Sequence, residues 1–140
     1  MKNQPYIQFG KITVVQGRPN SGKTATVLAV AAALTKSEGV PEPVNVIYQT
    51  SELGLADTIK PHLEKLGADC SRVHIVDESG KPPKFSGERI EQVIIEKGAK
   101  LFIIDPLYIA HNAQQMKHLE GVAERTGCAI VIVVNSKKRL

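Results

Sequence analysis

From Gly17 to Thr24 the chain reads Gly-Arg-Pro-Asn-Ser-Gly-Lys-Thr, a complete G-x-x-x-x-G-K-[ST]. Those residue types at that spacing suit one chemistry, the holding of phosphate. Gly17 and Gly22 admit backbone angles that a β-carbon resists, so successive N–H groups can converge on one anion. A helix beginning near Gly22 adds the N–H groups of its first turn and the positive end of its dipole. Lys23 supplies a mobile positive charge for the β- and γ-phosphates, and the Thr24 hydroxyl is a ligand for Mg2+. The run Gly17, Arg18, Pro19, Asn20, Ser21, Gly22, Lys23, Thr24 and Ala25 is therefore the expected cradle of a nucleoside triphosphate. Only context separates such a motif from a glycine turn that happens to carry a lysine. Here the apolar run 12–15 leads in and residues 26–34 have helical spacing, so strand, loop and helix are in register.

Two carboxylates complete the chemistry. Asp105 follows four apolar residues, 101–104, and is expected to support Mg2+, often through water. Glu52 lies past the second apolar run, where it could orient or deprotonate the water that attacks a γ-phosphate. A surface glutamate in a strand-to-helix loop is the plainer account of the same residue. Asn135 could sense the γ-phosphate or lie idle. His62, His74, His111 and His118 show no mutual spacing that suggests a metal.

The elements that must position these groups follow from periodicity. Strands are expected at 12–16, 44–50, 73–76, 101–104 and 129–134, with Tyr6 to Phe9 a candidate edge strand and Asp105-Pro106 ending the fourth. Helices are expected from the loop to about Ser37, over 57–66 with Pro61 in its first turn, over 87–97, and around Met116, Leu119, Val122 and Ala123. Gly67, Gly98 and Gly127 are their expected stops. Alternation of strand and helix predicts a doubly wound α/β sheet, in which ligands sit outside the carboxyl ends of the strands. Gly17, Glu52, Asp105 and Asn135 all fall at such ends and are expected to face one crevice.

A length of 140 residues suits one domain. Aromatics are 4% with no Trp, which excludes a base-stacking platform of the kind single-strand binders use. A net charge of +4 permits a nucleic-acid partner without demanding one, since phosphate ligands also favour local positive charge. Cys70 and Cys128 lack metal-ligand spacing and read as reduced core residues. With no secretory segment and no membrane-length apolar run, the expected location is the cytoplasm, with no membrane partner.

Glu52 after the second strand, rather than a carboxylate beside Asp105, resembles the arrangement of RecA-like ATPases. More specifically, the chain resembles the RepA-like replicative helicase ATPases of plasmid and phage systems, related to DnaB and RadA. The resemblance runs through 10–17, 46–52, 54–59, 67–73, 89–92, 101–107 and 119–134, most of the chain. It implies a three-layer RecA-like core with a mainly parallel sheet, and ATP hydrolysis coupled to single-stranded DNA in a hexameric ring. It carries Lys23 and Thr24 to phosphate and Mg2+, Asp105 to Mg2+ support and Glu52 to the attacking water. Leu53 stands where the family often has a second acid, and the segment 107–115 is short for the family. Val134-Asn135-Ser136-Lys137-Lys138 stands where a Gly-His-x-Asn-Lys run is common. The further strands, DNA-binding loops and arginine or lysine finger are expected beyond this point, so the chain reads as lacking the C-terminal part of the usual core. A RecA-like module that holds ATP and switches a partner without unwinding DNA is the alternative.

Overall fold

The computed structural model describes residues 7–18, 22–50, 54–78, 87–107 and 113–135. Five strands, β1 (Ile12–Gly17), β2 (Asn45–Thr50), β3 (Val73–Asp77), β4 (Ala99–Leu107) and β5 (Ala129–Asn135), alternate with α1 (Lys23–Thr35), α2 (Ala56–Lys65), α3 (Gly87–Lys97) and α4 (Ala113–Thr126). A 3-10 turn, Cys70–Arg72, leads into β3. The strands form one sheet in the order β1-β5-β4-β2-β3, and every pairing is parallel.

The unalternating apolar strands explain the two covered faces. On β4, Leu101 and Ile103 point to one face, where they pack with Val27, Leu28, Ala31 and Ala32 of α1 and Ile59 and Leu63 of α2. Phe102 and Ile104 point to the other, against Ile90 and Ile94 of α3 and Leu119, Val122 and Ala123 of α4. Helices thus lie on both faces, as the alternating pattern predicts. Arg125 of α4 forks onto Glu91 of α3 through bonds of 2.8 and 3.1 Å. That hydrogen-bonded guanidinium holds the Glu91 carboxyl below its ordinary range.

Four boundaries differ from the sequence expectation. The helix expected to reach about Ser37 stops at Thr35. Ser37 takes φ +64°, and its N–H bonds to Leu34 C=O while Glu38 N–H bonds to Ala33 C=O, a Schellman closure without glycine. Pro61 is the sixth residue of α2 rather than part of its first turn, because the helix begins at Ala56. Residues 7–10 form no strand, and Tyr6 lies outside the described residues. Asp105-Pro106 does not end β4. Ile104 pairs with Ile132 and Leu107 with Val134, so β4 spends one residue more than β5 over this step. A proline, lacking an N–H, fits at such a bulge.

Candidate functional site

Parallel pairing sets the carboxyl ends of all five strands along one edge of the sheet. There Gly17 of β1 stands opposite Asn135 of β5 in the register, and Asp105 occupies the bulge of β4 next door. Bulges near a site re-aim a side chain by bending the strand. Asp105 continues the Leu101–Ile103 face of β4, the face that α1 covers.

The loop leaves β1 at Gly17 and enters α1 at Gly22, whose φ is +91°. A Cβ built there would meet nothing within 4 Å, so the backbone angle, not crowding, requires glycine. No side chain caps α1, and its ladder begins with Thr26 N–H on Gly22 C=O at 3.0 Å. The N–H groups of the first turn, including those of Thr24 and Ala25, precede that ladder and point out of the helix end. This is the geometry of an anion seat.

Lys23 is only 9% exposed. Its Nζ folds back toward the end of β1 and donates to Arg18 C=O at 2.6 Å. Thr24 Oγ1 donates to Asp105 Oδ2 at 2.9 Å, across 81 residues of sequence. Asp105 is 3% exposed, and the same Oδ2 accepts a second hydroxyl, that of Tyr48. Tyr48 is fully buried and lies on β2, opposite Ile103 in the register and diagonal to Asp105.

The structure therefore brings together Gly17, Arg18, Gly22, Lys23, Thr24, Ala25 and Asp105. Glu52, Pro19, Asn20 and Ser21 lie outside the described residues; β2 carries the chain as far as Thr50, which is buried two residues before Glu52. Sequence reasoning missed Tyr48. The available signal was a phenol directly after the apolar pair Val46-Ile47 of a mostly buried strand, since a buried Tyr hydroxyl takes a hydrogen-bond partner. It also missed Asp77 and Glu78 at the same edge: Asp77 pairs with Thr50, and Glu78 N–H donates to Thr50 C=O at 2.7 Å.

Among the described residues no group of three or more His, Cys, Asp or Glu side chains could hold a metal. A hydroxyl and one carboxylate beside a phosphate seat is instead the donor set that suits Mg2+. That ion keeps several waters and takes one or two protein oxygens together with phosphate. Thr24 and Asp105 fit it.

A wholly parallel sheet covered on both faces, with the G-x-x-x-x-G-K-T turn between its first strand and first helix, defines an α/β fold of the RecA-like P-loop kind. A family model described as AAA domain matches residues 3–139. The chain belongs to that family, which is of the P-loop, nucleotide-binding ATPase type. No curated protein matches it. No helix among the described residues is long and apolar enough to cross a membrane.

Proposed function

We propose that this chain is a Mg2+-dependent ATP-hydrolysing core of RecA type that works on DNA in the cytoplasm, as the motor domain of a replicative helicase or a related DNA-metabolism ATPase. The observation that carries the reading is the 2.9 Å bond from Thr24 to Asp105 beside the phosphate turn. A motif residue and a distant carboxylate meet where a P-loop NTPase needs its cation pair.

In this reading the N–H groups from Gly17 to Ala25 cradle the phosphates and Lys23 carries charge to the β- and γ-phosphates. Thr24 ligates Mg2+ and Asp105 supports it. Held there by Thr24 and Asp105, Mg2+ would supply positive charge against the negative charge that develops on the phosphate. Glu52 orients the attacking water and takes its proton. The DNA partner and the ring of six copies rest on the resemblance to RepA-like ATPases, and a net charge of +4 agrees with an anionic partner.

The test is ATP binding and turnover with Mg2+, with and without single-stranded DNA, beside Lys23→Ala and Glu52→Gln. Lys23→Ala should weaken nucleotide binding itself. Glu52→Gln should leave binding intact and lower turnover by about 100-fold or more, as loss of a group acting in the transition state does. Single-stranded DNA should raise wild-type turnover. Absence of Mg2+-dependent ATP binding would sink the reading. Binding with turnover indifferent to DNA would instead leave an ATP-holding regulatory module.

A further inference from the structure

Asp105 receives two hydroxyls on one oxygen, and they come from different layers. Thr24 reaches Oδ2 from the first turn of α1, while Tyr48 reaches it from inside the sheet. A carboxylate held by a single donor still turns about its last side-chain bond, because that torsion is broad. Two donors arriving from different elements on the same oxygen fix both the rotamer and the plane of the group.

The arrangement matters because of what Thr24 must do. A hydroxyl has one proton and two lone pairs. If its lone pairs are to face a cation, its proton must go elsewhere, and here it goes to Asp105. The direction of that bond, and so of the Thr24 lone pairs, depends on where the Asp105 carboxylate is pinned. Tyr48 holds it from β2, on the face of the sheet that α1 also covers. The phenol has no competing access to water, being fully buried beside Val46, Ile103 and Val131.

We propose that Tyr48 is a positioning residue for the cation site: its hydroxyl sets the Asp105 carboxylate so that Thr24 presents its lone pairs to Mg2+. This rests on the Mg2+·ATP reading of the site and adds a residue to it. Partners outside the directly ligating groups typically change metal affinity or activity by about 10- to 100-fold when removed.

The experiment titrates Mg2+ against binding of a fluorescent ATP analogue to the full chain. Wild type is compared with Tyr48→Phe, which removes the hydroxyl and keeps the ring. Ile103→Val, a trimmed neighbour in the register without polar atoms, controls for packing. Tyr48→Phe should raise the half-saturating Mg2+ concentration about 10-fold or more, with analogue binding in excess chelator unchanged and turnover recovering at saturating Mg2+. Ile103→Val should leave the Mg2+ midpoint where it is. Should Tyr48→Phe fail to fold, Tyr48→Met gives the same donor-free side chain with a shape that fills irregular space, and the same shift is expected. An unchanged Mg2+ midpoint in the donor-free variant overturns the proposal. So does an equal shift in Ile103→Val, which would make the effect one of packing. If wild type itself shows no Mg2+-dependent binding, the functional reading has failed first and this assignment falls with it.

Discussion

Lys23, Thr24 and Asp105 were identifiable in the sequence because each carries its signal locally: a fixed spacing in one case, a carboxylate closing an apolar run in the other. Tyr48 was not, because its partner is a diagonal neighbour on β4 and only the strand order puts β2 beside β4. Burial writes a second, less visible property into single residues. Cys128 has no exposed surface, and desolvation pushes its thiol from the ordinary 9.0 up to about 12. Between those values the unfolded chain gives up the proton while the folded chain keeps it. Stability should therefore fall as pH rises through that window, by up to about 1.4 kcal/mol per pH unit from this group. Urea unfolding at pH 8 and pH 10, compared between wild type and Cys128→Ala, checks it: the variant should lose less stability over the interval. The same burial should keep Cys128 unalkylated in the folded protein at pH 8, which mass spectrometry reads directly.

At the scale of elements, helix stops and strand ends tested the sequence reading hardest. Gly67 closes α2 with bonds from Gly67 N–H to Glu64 C=O and from Ala68 N–H to Leu63 C=O, as a glycine stop should. Ser37 closes α1 in the same way at φ +64°. Its β-carbon makes that angle unfavourable by roughly 1 kcal/mol. Ser37→Gly should therefore raise the unfolding free energy by about 0.5–1 kcal/mol, read as a higher urea midpoint at unchanged slope. A lower midpoint would show that Ser37 contributes something the backbone angle does not reveal. The bulge at Asp105-Pro106 was equally hidden, since a proline after an apolar run usually marks a strand's end. Only pairing to β5 shows the ladder resuming at Leu107.

Over the whole molecule, the alternation of apolar strands with amphipathic helices is a strong enough signal to predict both covered faces. The order of the strands is not local information, so periodicity could not supply it. Phe102 shows what the layering is worth. It is buried on the central strand β4 against the α3–α4 layer, and Phe102→Ala should cost about 3–5 kcal/mol. Total stability of a domain this size is about 5–15 kcal/mol, so the variant should unfold at much lower urea while Ile95→Ala, on the exposed side of α3, should stay within about 0.5 kcal/mol of wild type. Equal losses at the two positions would contradict the layer assignment.

In that order β5, the last of the described strands along the sequence, lies between β1 and β4. A ribosome therefore releases the phosphate turn early and the carboxylate strand later, and the sheet joins β1 to β4 only once β5 is made. At about 5–20 residues per second, the turn waits on the order of ten seconds for its partner. A chain cut short before Ala129 would lack the strand that joins β1 to β4 within the sheet.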